Sequence, residues 1–198
     1  MNLGGSSDPA PTWARSGGNL RQVPTFLANS FPRTLIRLSL LGPIHCEDAD
    51  GGTMGSLIAQ PKRLALVIYL AAATPSGFQR RDTLLALFWP ELDTARARDA
   101  LSSALSFLRR TLGTSVLITQ GMEEIGIDRA ALWCDVAAFR ELIAQSRFGE
   151  ALDLYRGAFL DGFYARDSEG FSQWADEERE RLRTSATRAA RSDRKSVV

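Results

Sequence analysis

Asp93 to Gly113 reads D-T-A-R-A-R-D-A-L-S-S-A-L-S-F-L-R-R-T-L-G, and the spacing of its apolar residues decides the fold. At about 100° per residue, Ala97, Ala100, Leu101, Ala104, Leu105, Leu108 and Leu112 form one stripe. Arg96, Asp99, Ser102, Ser103, Ser106 and Arg110 lie opposite it, flanked by Arg98 and Arg109. Asp93 or Thr94 can accept from the first free N–H groups as an N-cap, and Gly113 can take the left-handed conformation that closes a helix. The stretch is a capped amphipathic helix with a serine and arginine face, the side chains that reach phosphates and base edges in a DNA groove. An ordinary solvated helix has the same composition, so the segments on either side decide between the two readings.

Before it, Gln79 to Trp89 carries Leu84, Leu85, Leu87, Phe88 and Trp89 at helical spacing, and Pro90 stops it. After it, Val116 to Thr119 and Glu124 to Ile127 are apolar, β-rich runs around the turn-prone Gly121. Helix, short linker, longer helix and hairpin is the order of a winged helix-turn-helix.

Further upstream, residues 1 to 32 mix Gly, Ser, Pro and Asn with no sustained period and read as a flexible leader. At Thr34 the composition shifts, and T-L-I-R-L-S-L-L-G-P-I reads as a strand. Asp48 to Gly52 is a tight turn, from which Met54 to Ala59 is expected to return as a second strand of a small antiparallel sheet. Pro61 suits the first position of a helix that Leu64, Leu66, Val67, Ile68, Leu70 and Ala71 make apolar almost all round, as in a buried helix. Ala73 to Gly77 is a turn, and Leu132 to Cys134 a last short strand before Asp135 caps a new helix.

From Val136 the chain is expected to be helical. Phe139, Leu142 and Ile143 give one apolar face, Gly149 breaks the run, and Ala151, Leu152, Leu154, Tyr155, Phe159 and Leu160 give another, as in an αα-hairpin. Asp161, Gly162 and Gly170 punctuate a connector to a long helix over Phe171 to Ala190. Glu177 and Arg181 form a favourable i,i+4 pair there, and the helix's charge reads as a solvated face.

Composition narrows the function. The 198 residues are 44% hydrophobic with a net charge of +1, enough for one ordinary domain or two small ones. The charge is unevenly placed: residues 61 to 113 hold eight Lys and Arg against four Asp and Glu, whereas residues 114 to 198 hold twelve against fifteen. The positive excess falls on the segment that would face phosphate. Cys46 and Cys134 belong to no C-x-x-C pair and are expected to be reduced, with no zinc framework. His45 is the single histidine, so a histidine triad or multi-histidine metal site lacks parts. Neither G-x-x-x-x-G-K-[ST] nor G-x-G-x-x-G occurs. Asp48, Asp50 and Gly51 lack the distal glutamate of a calcium loop and read as a turn. No enzyme activity, cofactor or metal is expected. With no signal peptide, and no apolar run longer than Leu64 to Ala73, the chain is expected to be cytoplasmic and away from membranes.

Several stretches, in order, resemble the SARP-type antibiotic regulatory proteins, activators that join a winged helix to a bacterial transcriptional activation domain. They are I-R-L-S-L-L-G (Ile36 to Gly42), P-K-R-L-A-L (Pro61 to Leu66), L-x-x-L-F-W-P (Leu84 to Pro90) and A-R-D-A-L-S-S-A-L-S-F-L-R-R-T-L-G (Ala97 to Gly113). Toward the C-terminus, A-L-D-L-Y-R-G-A-F-L-D-G-F (Ala151 to Phe163) and F-S-Q-W-A-D-E-E-R-E-R-L-R (Phe171 to Arg183) continue the match, which covers most of residues 34 to 190.

The resemblance implies a mainly α protein with a small antiparallel β component: a winged helix-turn-helix over residues 34 to 134, then tetratricopeptide-like helices over 135 to 198. It implies a sequence-specific regulator of transcription, an activator, whose residues 95 to 112 enter the major groove of double-stranded DNA. Arg96, Ser102, Ser103, Ser106, Arg109 and Arg110 would face the duplex, with Lys62, Arg63, Arg80 and Arg81 as phosphate contacts. RNA polymerase or another regulator is the implied protein partner, and oligomers on DNA are compatible with it. The family's activation domain continues for several more helices, so the expectation is of a shortened one here. Two features depart from the pattern. Asp99 sits on the DNA-facing side, where a carboxylate is repelled by phosphate unless it accepts from a cytosine amine, so it narrows the sequence read or lowers affinity. The wing, residues 114 to 128, carries Glu123 and Glu124 with no Lys or Arg. The competing reading is a helical protein-interaction module that does not bind DNA. Most aromatic residues are expected in the core, while Phe107, about 120° from the centre of the stripe, is expected to pack on the wing.

Overall fold

Strand β1 (Ile36–Ser39) is the middle strand of the first sheet, pairing antiparallel with β2 (His45–Glu47) and parallel with β6 (Leu132–Cys134). The computed structural model describes residues 35–196, with side chains up to Asp193; the leader expected over residues 1 to 32 lies outside the described residues. The sheet is thus mixed, not purely antiparallel, because its third strand arrives from far along the chain. Leu38 lies in register with Cys46 on one side and Cys134 on the other.

The Asp48 turn forms as expected: Asp48 Oδ1 accepts from the N–H of Asp50 at 3.0 Å and of Gly52 at 2.8 Å, and Gly51 takes a φ of +83°. The return strand does not form. After one bridge between Glu47 and Thr53, the chain enters a single helical turn, α1 (Gly55–Ile58), which buries Leu57 and leaves Ser56 and Ile58 exposed. The next helix, α2 (Pro61–Ala72), starts on its proline and buries every residue from Leu64 to Leu70, as its all-round apolar surface requires.

Gln79 and Arg80 form a two-residue strand, β3 (Gln79–Arg80), rather than the first turn of the following helix, because they pair with Ile125 and Glu124. Helix α3 (Arg81–Phe88) therefore begins two residues later than its periodicity predicts. Helix α4 (Thr94–Leu112) follows, then the hairpin β4 (Leu117–Gln120) and β5 (Glu124–Ile127), turned at Gly121 with φ +58°. The second sheet has the order β3-β5-β4. Together, α2, α3, α4 and this sheet are the winged helix-turn-helix read from the sequence.

Three details of the C-terminal half differ from expectation. Helix α5 (Asp135–Ala144) ends in a turn at Ser146, φ +59°, and Gly149 lies inside α6 (Phe148–Leu154) instead of breaking it. Phe159 and Leu160 are not on that helix: the Leu160 N–H donates to the Leu40 carbonyl at 2.9 Å, so the connector runs back along the end of β1. Asp135 does not cap its own helix. Its Oδ2 accepts from the Leu40 and Leu41 N–H groups at 2.8 and 2.9 Å, closing the backbone of the segment that follows β1.

The last helix, α7 (Glu169–Ser196), starts before the expected Phe171 and takes in Gly170, where a Cβ would stand 3.3 Å from Leu87 of α3. That close approach lets α7 seat an aromatic cluster. Phe171 lies 5.6 Å from Phe88, and Trp174 lies 4.9 Å from Tyr69, 5.4 Å from Phe171 and 5.9 Å from Phe159, ring centre to ring centre. Rings from α2, α3, the connector and α7 thus form one packed group. Beyond it, α7 is not only a solvated charged face. Glu178 is 1% exposed and receives Arg140 of α5, whose other nitrogen donates to the Ala72 carbonyl at 2.5 Å. The expected Glu177 to Arg181 pair forms at 2.8 Å on the outside. The chain is mainly α-helical with a small β component, and among the described residues no helix is long and apolar enough to cross a membrane.

Candidate nucleic-acid interface

Helix α4 is started by Asp93, whose Oδ1 accepts from the Arg96 N–H at 3.0 Å while its Oδ2 stands 3.4 Å from Arg96 Nε. Thr94 is the first helical residue and caps nothing. Gly113 ends the helix with φ +92° and ψ 154°, a region reserved for glycine but not the left-handed helical one expected. Arg109 and Arg110 occupy the last turn, where cations suit the helix dipole.

The apolar stripe packs inward as read: Ala97, Leu101, Ala104, Leu105, Leu108 and Leu112 are buried and Ala100 half-buried. Arg96, Arg98, Asp99, Ser102, Ser103, Ser106 and Arg110 are all exposed, and Arg109 is half-buried. The polar face thus lies on the surface along the whole helix. Apart from Arg96, none of these side chains has an ion-pair or hydrogen-bonding partner among the described residues.

The flanking cations divide into two pairs. Arg63, near the start of α2, lays its guanidinium 4.2 Å from the centre of the Phe107 ring. On α4, Phe107 is one turn from both Ser103 and Arg110, so this contact sets a cation beside the polar face. The half-buried Phe107 ring thus meets Arg63 of α2. Lys62 is drawn to the helix-turn-helix linker instead, 3.6 Å from Glu91 and over the Trp89 ring at 5.6 Å. Arg80 lies in β3 and Arg81 opens α3, both beside the wing. Arg80 is exposed, with Asp82 at 4.0 Å. Arg81 donates from Nε to the Met122 carbonyl at 2.7 Å and from its backbone to the Glu123 carbonyl at 2.8 Å, so its first task is holding the hairpin tip against α3.

The wing presents a different surface. Met122 is 85% exposed at its tip beside Glu123. On the outer sheet face, Phe78 covers Gly126, where a Cβ would meet its ring at 3.2 Å, and Ile118 is the cross-strand partner of that glycine. Sequence reasoning missed both Arg63 on Phe107 and Arg81 on Met122. Neither is signalled locally, since each joins residues about forty positions apart.

Cys46 and Cys134 are buried free thiols, pushed by burial to pKa values of about 11 and about 12. No group of three or more His, Cys, Asp or Glu gathers to hold a metal among the described residues. A groove of about 250 Å³ between α5, α6 and α7 is lined by Ile143, Phe148, Ser185, Arg188, Ala189 and Ser192.

No protein-family model matches the chain, and no curated protein does. Among solved structures it is similar to Mycobacterium tuberculosis EmbR in complex with a low affinity phosphopeptide, at 24% identity and a TM-score of 0.52. The likeness covers 80% of this chain and 45% of that one, so the chain spans less than half the length of the structure it matches. At that identity the two share a fold.

Proposed function

We propose that this chain is a DNA-binding regulator of transcription, an activator, that lays α4 in the major groove of a duplex. One observation carries the reading: the face holding Arg96, Ser102, Ser103, Ser106 and Arg110 is exposed from end to end of α4. Arg109 at its edge and Arg63, held on Phe107, add charge beside that face, and Lys62 on α2, Arg80 on β3 and Arg81 at the start of α3 supply further cations for backbone phosphates. Residues 34 to 134 act as the DNA-reading domain. Residues 135 to 198 contribute tetratricopeptide-like helices that dock another regulator or RNA polymerase, and the protein works in the cytoplasm as a monomer or as oligomers on DNA.

Selection from random duplexes followed by gel shifts tests this. Arg96→Ala and Arg110→Ala are expected each to weaken binding by about 1 to 3 kcal/mol where the contact is bidentate to guanine. Binding is expected to fall as salt rises, through counterion release. Unchanged binding in both variants overturns the assigned orientation. The acidic wing tip and the exposed Phe78, Ile118 and Met122 favour a second reading, a protein-interaction module. Absence of salt-sensitive binding to any duplex would select it.

A further inference from the structure

Asp99 is an anomaly on a surface meant for a polyanion. It lies in the second turn of α4, fully on the outward face, and its carboxylate has neither ion pair nor hydrogen bond among the described residues. Arg96 at i−3, the cation one turn back on the same helix, is held by Asp93, and the adjacent Arg98 forms no ion pair with it. The residues at i+3 and i+4 are Ser102 and Ser103, and the one at i−4 is Ala95, all exposed. Asp99 thus projects, without an ion-pair partner, beside the small side chains of Ala95, Ser102 and Ser103.

Small neighbours let the helix backbone approach the floor of a groove closely, which brings a short side chain such as aspartate to the base edges. There the carboxylate can only accept. Guanine shows N7 and O6 and thymine shows O4 in the major groove, acceptors that repel it. Adenine offers its N6 amine, but beside the N7 acceptor that would face the second carboxylate oxygen. Cytosine offers its N4 amine without an acceptor on the same base edge.

We infer that Asp99 is a specificity-determining residue that accepts a hydrogen bond from the N4 amine of a cytosine, fixing a C·G pair in the site bound by α4. The inference rests on the DNA-binding reading above and deepens it. Phosphate repulsion makes the same residue act against all other sequences, so it discriminates by lowering the affinity of wrong sites as well as raising that of the right one.

The test is selection of bound duplexes from a random-sequence pool by the full chain and by Asp99→Asn and Asp99→Ala, with circular dichroism to show that each variant folds. The wild type is expected to enrich sites with one position fixed as cytosine, mutation of which costs about tenfold or more in affinity. Asp99→Asn is expected to move that position to adenine, which asparagine reads through N6 and N7. Asp99→Ala is expected to lose the preference there while binding unrelated duplexes more tightly. If all three proteins enrich the same sites and Asp99→Ala binds every duplex more tightly by one common factor, Asp99 is merely repulsive and the inference is overturned. If the wild type retains no duplex at all, the DNA-binding reading fails first and takes this one with it.

Discussion

Arg140 of α5 and Glu178 of α7 form an ion pair in which the carboxylate is 1% exposed and the guanidinium also reaches the Ala72 carbonyl at the end of α2. One side chain thereby ties α2, the buried helix of the winged helix-turn-helix, to α5 and α7 of the C-terminal half. Charge taken out of water costs free energy, and here the geometry offsets it with several charge-assisted hydrogen bonds.

Removing one partner is therefore worse than removing both. Glu178→Ala leaves the Arg140 guanidinium without its carboxylate and is expected to lower stability by about 2 to 3 kcal/mol, at the low end for buried pairs because Arg140 retains some solvent. Arg140→Met combined with Glu178→Leu is expected to recover most of that loss. Urea titrations of the three proteins check it; equal losses in the single and double variants would refute the account.

Asp135 predicts a dependence on pH. Burial pushes its carboxyl up from 3.8 to about 6, and the Leu40 and Leu41 N–H bonds only partly oppose this. A folded-state pKa above the unfolded one means that the group's stabilising contribution is complete below pH 3.8 and is lost as pH rises through about 6. Relative to wild type, Asp135→Asn is expected to gain stability as pH rises from 4 to 7, by an amount on the order of 2 to 3 kcal/mol. Denaturation midpoints of both proteins across that range measure the difference, and a constant gap would contradict it.

The two thiols should be silent in the native protein. Cys46 and Cys134 flank Leu38 from opposite sides of β1, two strand spacings or about 9.5 Å apart, beyond the reach of a disulfide. Burial also holds both protonated well above neutral pH. An alkylating thiol reagent at pH 8 is expected to label neither residue until denaturant is added. Prompt labelling of either without denaturant would show that the sheet opens.

Asp93 starts the helix that carries the proposed interface. Asp93→Ala removes the acceptor for the Arg96 N–H and the ion pair to Arg96, and is expected to cost about 1 kcal/mol of stability. Asp93→Ser keeps the cap and is expected to restore that stability but not the position of the Arg96 side chain. Duplex affinity should therefore fall in both variants while thermal stability falls only in the first.

The local part of this fold was legible from residue spacing. The α4 stripe, the all-round apolar α2, the Asp93 cap, the Gly121 hairpin and the exposure of the serine and arginine face all follow from periods of 3.6 and 2 acting over a few residues. Tertiary structure alone decided the rest. Gln79 and Arg80 became a strand because β5 offered backbone partners, Glu178 was buried because Arg140 met it, and Asp135 turned from its own helix to the N–H groups after β1. Arg81 was committed to the Met122 carbonyl and Arg63 to the Phe107 ring. In each case the partner is distant in sequence, and periodicity carries information only about which side of a segment is apolar, never about which polar group will stand opposite it.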